Sequence, residues 1–234
     1  ARFARRIGIA FSSAADFFPK EKTALVAITI RKRILGGSRE QAKENFDIFS
    51  ALPVIGFIGA SQGAQKLNEA VLGILKELTE EFEILHQTGA KNYEGVKSET
   101  SVILETGHKD RYHPFGFLKE SEMRDFYQAS DLIVSRAGAS SIFEIAAWGK
   151  PSILVPLENS AQDHQRKNAY EYAATRACNV VEENNLTPHI LFAEIKKVLG
   201  NPELMRKMSE AAQKFSRIDS AEVIAKEILK LGIH

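Results

Sequence analysis

The 234-residue sequence has very little cysteine, little tryptophan and almost no excess charge. Cys178 is the only cysteine, which excludes an internal disulfide and a cysteine-built metal site and is typical of a reducing compartment. The 31 basic and 30 acidic residues nearly cancel, so charge gives no reason to expect nucleic acid as a partner. No apolar run approaches the roughly 18–20 residues that span a bilayer, and the first residues do not resemble a signal peptide. These absences predict a soluble, cytoplasmic protein.

What the sequence does have is a regular alternation of strand-length apolar runs with longer segments of helical period. This alternation is typical of βαβ units, and we predict an α/β protein with a Rossmann-like, doubly wound parallel sheet. The predicted strands are 7–11, 24–28, 54–58, 83–87, 102–105, 131–135, 152–156 and 179–181, and 113–117 is a further candidate. Helices are predicted at 39–49, 66–82, 203–215 and 221–231, and another begins at Pro188 after a Thr187 cap.

The pattern divides at Gly36-Gly37-Ser38, which predicts two domains, 1–35 and 36–234. Residues 36–234 have the pattern of one complete doubly wound domain. Residues 1–35 contain two strands with almost no helix between them, and such a pair cannot form its own core. We expect them to be the end of a preceding domain, to expose apolar faces, and to be removable with a gain in solubility. The start without methionine fits either processing or a start inside a longer protein.

Ligands of open parallel sheets bind at the carboxyl ends of the strands, where loops lead into helix N-termini. The first such junction is 59–64, directly after predicted strand 54–58. Its small residues let a phosphate approach the backbone, Ser61 offers a hydroxyl, and the next helix offers unpaired N–H groups. The segment is neither a P-loop nor a dinucleotide fingerprint, so a tight turn without a ligand explains it equally well.

The second junction runs from Ser135 to Glu144. The hydroxyls of Ser140 and Ser141 suit phosphate oxygens, and Glu144 can accept two hydrogen bonds from a diol such as a ribose. Together they fit a nucleoside diphosphate, and Glu144→Ala is expected to weaken UDP binding while leaving folding nearly intact. The alternative is a helix capped by Ser140 or Ser141, with Glu144 as a favourable first-turn charge.

The polar run 163–168 lies after predicted strand 152–156. It places amide side chains near a sugar or phosphate, or it is a solvated helix start capped by Asp163.

The histidines lack metal-ligand spacing, and His86, inside a predicted strand, is expected to be a core residue. Arg136 could meet a phosphate or form a salt bridge. We predict no metal site and no cofactor.

Six blocks stand in a specific order and spacing along essentially the whole chain: 60–64, His86-Gln87-Thr88-Gly89, 129–139, Glu144-Ile145-Ala146-Ala147, Gly149-Lys150-Pro151 and Asp163-His164-Gln165. In this order they resemble the bacterial MurG family of N-acetylglucosaminyltransferases. The resemblance implies the C-terminal domain of a GT-B fold, which binds the donor UDP-GlcNAc. It implies these contacts: Ser61 with the diphosphate, the backbone of Leu118 with uracil, Ala139, Ser140 and Ser141 with the α-phosphate, Glu144 with the ribose, and Gln165 with GlcNAc. It also implies donor binding by Arg31, although Ala27-Ile28-Thr29-Ile30 stands where the family has Gly-Asn-Pro-Val.

The resemblance further implies transfer of GlcNAc to the lipid-linked muramyl-pentapeptide acceptor (lipid I to lipid II) in peptidoglycan synthesis. That step serves cell shape and cell division, in the cytoplasm or peripherally on the cytoplasmic face of the plasma membrane. The family's N-terminal Gly-rich loop with its candidate catalytic histidine has no counterpart here. We therefore assign no catalytic residue and expect the missing N-terminal half of the transferase as a partner.

One alternative is a donor-binding subunit that needs a separate membrane partner. Another is a UDP-GlcNAc 2-epimerase, against which the Asp163-His164-Gln165 block argues.

Overall fold

The computed structural model describes residues 3–59 and 64–232, with residue 162 described for its backbone only. Its strands, in chain order, are β1 (Ile7–Ile9), β2 (Thr23–Leu25), β3 (Val54–Ile58), β4 (Glu83–Gln87), β5 (Tyr112–Phe115), β6 (Leu132–Ser135), β7 (Ser152–Leu154) and β8 (Cys178–Val180). The main sheet is parallel, in the order β5-β4-β3-β6-β7-β8. Strands β3 and β4 are buried over their whole length, as expected for parallel strands covered by helices on both faces.

Helices cover both faces of this sheet. They are α1 (Arg39–Asn45), α2 (Gln65–Leu72), α3 (Leu75–Glu81), α4 (Tyr93–Ile103), α5 (Glu120–Ala129), α6 (Ala139–Ala147), α7 (His164–Ala174), α8 (Pro188–Leu199), α9 (Pro202–Phe215) and α10 (Ser220–Gly232). Side chains of Ser38, Thr187 and Asn201 accept hydrogen bonds from the first turns of α1, α8 and α9, so these predicted helix starts are confirmed. None of the helices in the described part of the chain is long and apolar enough to cross a membrane.

Two predicted elements differ in the structure. The strand predicted at 102–105 is wrong, because Val102 and Ile103 end α4, whose buried positions Val96 and Thr100 follow a helical period. The fifth strand is instead β5, close to the candidate run 113–117. The single helix predicted at 66–82 is two helices, α2 and α3, divided at Gly73. A Cβ at that glycine would lie 2.7 Å from Cγ of Pro188, so a close approach of α8 explains why glycine stands there.

In the N-terminal segment, β1 and β2 form a separate two-stranded parallel sheet, which gains no further strand among the described residues. The expectation that this segment exposes its apolar faces is wrong for Phe11, Ile30 and Ile34, which are buried in the same core cluster as α5 and α6. Gly36 and Gly37 follow with φ of +86° and +99°, backbone conformations that favour glycine and let the chain turn into α1.

The C-terminal helix α10 returns to this N-terminal segment. Arg6 Nε lies 3.1 Å from Glu227 Oε1, and Lys32 Nζ lies 3.0 Å from Glu222 Oε1. Both pairs are exposed to solvent, so each contributes little to the stability of this contact. Between α10 and the β1-β2 sheet a groove of about 650 Å³ remains, mostly lined by apolar side chains such as that of Ile228.

Candidate functional site

The two strands that lead into the junctions singled out in the sequence, β3 and β6, lie at the topological switch point of the main sheet. Strands β3 and β6 are neighbours, and Ile58 pairs with Ser135, so both strands end at the same level. The helices that follow these strands pack on opposite faces of the sheet, α2 on one face and α6 on the other. A crevice at such a switch point is where open α/β sheets bind ligands. Ser61, with 60–63 as a whole, lies outside the described residues.

Helix α6 begins with an N-terminus that no side chain caps. Its N-cap position is Gly138, which has no side chain, and Ala139, Ser140 and Ser141 form the first turn. The alternative of capping by Ser140 or Ser141 is therefore wrong, because both serines lie inside the helix. Backbone N–H groups of a first turn lack helical acceptors, and the helix dipole favours negative charge there. This arrangement suits an anion such as a phosphate.

Glu144 lies further along α6, beyond the first turn, so the first-turn-charge alternative is also wrong. Its side chain is 14% exposed and is held by two donors. Arg31 Nη2 lies 3.1 Å from Oε1, and the hydroxyl of Tyr127 donates to Oε2 at 3.2 Å. Arg31 also donates to Glu120 at 3.2 Å. The structure thus brings together the two predicted site residues Arg31 and Glu144 and adds Tyr127 and Glu120, which the sequence did not single out.

The protonation states of both donors follow from their surroundings. Partial burial alone would lower the pKa of Arg31, but the hydrogen bond and charge of Glu144, and then those of Glu120, outweigh it and raise that pKa. Burial first, and then the charge and hydrogen bond of Glu144, raise the pKa of the Tyr127 hydroxyl well above its ordinary value. Both groups therefore remain protonated donors at neutral pH. A diol that reaches Glu144 would share this carboxylate with them or replace them.

Gln165 lies near the start of α7, in the predicted polar run. Its Oε1 accepts a hydrogen bond from the backbone N–H of Leu157 at 3.0 Å. The amide is thereby oriented, and no hydrogen bond from its Nε2 forms within the part of the chain that the structure describes. Asp163 occupies the N-cap position with a left-handed φ of 57°, but its side chain makes no capping bond, so the predicted Asp163 cap is wrong.

Leu118 follows β5 and is only 3% exposed, in the same core cluster as Phe126. Its neighbour Phe117 is 68% exposed, although it is a large aromatic residue. An exposed aromatic ring at a strand end offers a flat face on which a base can stack. Sequence reasoning did not single out Phe117, although its place beside Leu118 was a signal.

Arg136 forms a salt bridge, the second of its two predicted roles. Its Nη2 lies 2.5 Å from Oε1 of Glu183, and both side chains are nearly inaccessible. Glu183 is a further residue that the sequence analysis did not single out. His86 is a satisfied core residue, as predicted: it is fully buried and bonded to the hydroxyl of Tyr112 at 2.9 Å and to Oδ1 of Asn68 at 3.1 Å. Within 3–59 and 64–232, no three His, Cys, Asp or Glu side chains are grouped as a metal site would require.

Residues 54–224 match the glycosyltransferase family 28 C-terminal domain. A protein from Thermodesulfovibrio yellowstonii, named UDP-N-acetylglucosamine--N-acetylmuramyl-(pentapeptide) pyrophosphoryl-undecaprenol N-acetylglucosamine transferase, is 34% identical over 95% of this chain and 60% of its own length. A protein of the same name from Thermoanaerobacter sp. is 36% identical over 97% of this chain and 62% of its own length. The chain therefore spans about three fifths of the length of these curated relatives.

Solved structures agree with this similarity. The crystal structure of Acinetobacter baumannii MurG superposes with a TM-score of 0.74 at 26% identity, covering 98% of this chain and 61% of that one. A putative UDP-N-acetylglucosamine 2-epimerase from Listeria monocytogenes gives a TM-score of 0.70 at 19% identity, covering 96% of this chain and 59% of that one, and shows the fold alone. The predicted resemblance and the predicted doubly wound α/β class of a GT-B C-terminal domain are confirmed.

Proposed function

The chain belongs to glycosyltransferase family 28 by its C-terminal domain, and from that premise we propose that it is the donor-binding part of a UDP-GlcNAc-dependent hexosyltransferase. The names of its relatives supply the donor sugar and the lipid-linked muramyl-pentapeptide acceptor. The main observation in support of the proposal is that the uncapped N-terminus of α6 lies at the switch point and that the carboxylate of Glu144 follows on the same helix, beyond its first turn. Helix N–H groups and a carboxylate acceptor together match a diphosphate attached to a ribose.

We assign the donor contacts as follows. The N-terminus of α6, at Ala139, Ser140 and Ser141, binds the α-phosphate, and Ser61 contacts the diphosphate. Glu144 accepts from the ribose hydroxyls. In the ligand-free chain, the Arg31 guanidinium pairs with the carboxylate of Glu144. Once the ribose hydroxyls have taken the place of Arg31 at Glu144, the positive charge of Arg31 favours binding of the diphosphate. The uracil lies at Leu118, with Phe117 as a stacking surface, and Gln165 donates to the GlcNAc from its Nε2.

In the reaction, the C4 hydroxyl of the muramyl acceptor attacks the anomeric carbon of GlcNAc with inversion. The C1–O bond to the diphosphate breaks, UDP leaves with the bonding electrons, and a general base takes the hydroxyl proton. The N-termini of α2 and α6 stabilise the charge that develops on the leaving diphosphate. We place the base and the acceptor site in the two fifths of the relatives that this chain does not match.

We further propose that 1–35 end an acceptor domain and that 36–234 form the donor domain, with the remaining N-terminal half as partner. The separate β1-β2 sheet and the turn at Gly36-Gly37 support this division. Because the acceptor is lipid-linked, the protein works in the cytoplasm or peripherally on the cytoplasmic face of the plasma membrane. Its product serves peptidoglycan synthesis and thereby cell shape and division. No comparison favours the split-subunit alternative, and the epimerase alternative rests on fold alone.

Calorimetry with UDP, with and without EDTA, tests the donor site. Glu144→Gln should weaken UDP binding by about 1–3 kcal/mol, the usual loss for a charged hydrogen-bond acceptor. Glutamine is preferable to alanine because alanine would leave the buried Tyr127 hydroxyl without its acceptor, which costs about 1–3 kcal/mol of stability. Because of this hydrogen bond, we now expect Glu144→Ala to destabilise the fold as well as to weaken UDP binding.

The matched control is Glu120→Gln, which removes the other carboxylate partner of Arg31 but no proposed ribose contact. It should bind UDP within about a factor of two of the wild type, since exposed ion pairs contribute little. Wild-type affinity in Glu144→Gln would overturn the ribose assignment. A strict requirement for a divalent ion would contradict phosphate binding by helix N-termini alone.

A further inference from the structure

A buried ion pair connects the carboxyl ends of three neighbouring strands, β6, β7 and β8, at the edge of the sheet where the candidate site lies. Arg136 follows β6 and Glu183 lies just after β8, and their side chains are 7% and 5% exposed. Besides its bond to Glu183, Arg136 donates from Nη1 to the carbonyl of Val155, directly after β7, at 3.3 Å. A buried pair of this kind is weak evidence for stability by itself, because desolvation of both charges offsets much of their attraction. The function of the Arg136–Glu183 pair therefore depends on the groups that it holds in position.

Both oxygens of Glu183 are in use. Oε1 faces Arg136, and Oε2 accepts a hydrogen bond from the backbone N–H of Glu158 at 3.2 Å. Lys66, the second residue of α2, places its Nζ 3.9 Å from the same Oε2. Burial alone would raise the pKa of this carboxyl, but the hydrogen bond from Glu158 and then the bond and charge of Arg136 hold it below its ordinary value. Glu183 is therefore ionised at neutral pH.

The loop 155–158 is thus fixed at both ends, by Arg136 at Val155 and by Glu183 at Glu158. Leu157 lies between these two anchors, and its N–H is the donor that orients the amide of Gln165. We propose that Glu183 is a positioning residue for the sugar end of the donor site: it holds the 155–158 loop, which aims Nε2 of Gln165 at the GlcNAc. This proposal rests on the proposed function.

Glu183→Gln is the sharpest perturbation. A carboxylate can accept on both oxygens, whereas an amide has one acceptor oxygen and one NH₂ donor. The glutamine can therefore satisfy either Arg136 or the N–H of Glu158, and its NH₂ group faces the donor that remains. The matched control is Glu182→Gln, one residue earlier, whose Oε1 accepts from Arg166 and Tyr170 and not from the 155–158 loop.

Calorimetry on the full 234-residue chain should measure UDP and UDP-GlcNAc separately for the wild type and both variants. In Glu183→Gln, the affinity for UDP-GlcNAc should fall about tenfold, as for one lost hydrogen bond, and that for UDP by less than about twofold. Glu182→Gln should leave both affinities unchanged. Hydrogen exchange gives a second readout, because the N–H of Leu157 donates to Gln165 and not to Glu183. In Glu183→Gln, the protection of the Leu157 N–H against hydrogen exchange should fall only if the 155–158 loop itself moves.

Glu183→Gln could also destabilise the fold, because it leaves Arg136 buried without its counter-charge. The double variant Arg136→Met, Glu183→Leu removes both charges and both loop anchors, and apolar replacement of a buried pair usually preserves the fold. It should show the same selective loss of UDP-GlcNAc affinity. An equal loss for both ligands, or no loss, would overturn the positioning role alone. A wild-type chain that does not bind UDP would overturn the proposed function as well.

Discussion

Mild acid should destabilise the protein through His86. This residue lies in β4, and burial lowers the pKa of its imidazole from the ordinary 6.5 to about 3. The unfolded chain therefore binds a proton near neutral pH, whereas the folded chain excludes it until far lower pH. Stability from this group is fully present above the unfolded pKa and is lost as the pH falls from about 6.5 towards about 3.

The size of the effect follows from the difference between the two pKa values. Each pKa unit corresponds to about 1.4 kcal/mol, so the loss at about pH 5 is ~2 kcal/mol and its limit below about pH 3 is ~5 kcal/mol. A typical domain has only about 5–15 kcal/mol of stability. Adapting the site to the charged ring is difficult, because both ring nitrogens are engaged, with the Tyr112 hydroxyl and with Asn68.

Urea unfolding at about pH 7.5 and about pH 5 tests this for the wild type, His86→Gln and the exposed-site control His189→Gln. The wild type should lose ~2 kcal/mol more than His86→Gln over this interval. His189→Gln should behave like the wild type. Carboxylates such as Glu183, whose pKa lies below its ordinary value, also destabilise the fold in acid, but they are common to all three chains and cancel. Equal losses in the wild type and His86→Gln would refute the reasoning.

Two further predictions concern alkaline stability and catalysis. Burial, and then the charge of Arg39, lower the pKa of Lys150 from 10.5 to about 8, so the unfolded chain keeps this proton longer than the folded one. Between about pH 8 and about pH 10, the free energy of unfolding of the wild type should therefore increase relative to that of Lys150→Met, as measured by urea titration of both chains. The chain alone should transfer no GlcNAc, and adding the N-terminal half of a MurG relative should restore transfer to a lipid I analogue. Radiolabel incorporation measures this, and turnover by the 234 residues alone would contradict it.

The sheet was predictable where the signal is local. Strands β3 and β4 match their predicted bounds residue for residue, because each is a short run buried on both faces between helical segments. The 102–105 run failed because Val-Ile-Leu suits a buried strand or a helix end equally well. Only the preceding turns of α4 decide between them. Helix α5 was not predicted as an element, although the buried set of Met123, Phe126 and Tyr127 has helical spacing.

The same distinction holds at the candidate site. The loops that carry it were predictable, since each is a strand end followed by small or polar residues. Their partners were not, because these come from distant segments that only the topology brings together. Glu183, in a polar run typical of an exposed loop, meets Arg136 across 47 residues of sequence. Tyr127 and Arg31 reach Glu144 from α5 and from the segment before α1.

The N-terminal segment provides the clearest case in which topology reverses an expectation. Its deletion was expected to improve solubility, but the Phe11 ring lies 5.2 Å from that of Phe143 and 6.2 Å from that of Phe215. Ile34 is completely buried in the same core cluster. Removing 1–35 would therefore uncover the aromatic faces of α6 and α9. We now expect the deletion to destabilise the donor domain and to lower its solubility.

Two substitutions of the same residue type in this segment test that conclusion without cutting the chain. Phe11 is 5% exposed, whereas Phe17 is 71% exposed, with the Lys167 ammonium 5.8 Å from its ring centre. Phe11→Ala should lower the free energy of unfolding by about 3–5 kcal/mol, the usual loss for a buried phenylalanine. Phe17→Ala should lower it by no more than about 1 kcal/mol, the value of an exposed cation–π contact. If urea unfolding gave equal, small losses for both, residues 1–35 would not share the core of the donor domain, and their deletion would be harmless after all.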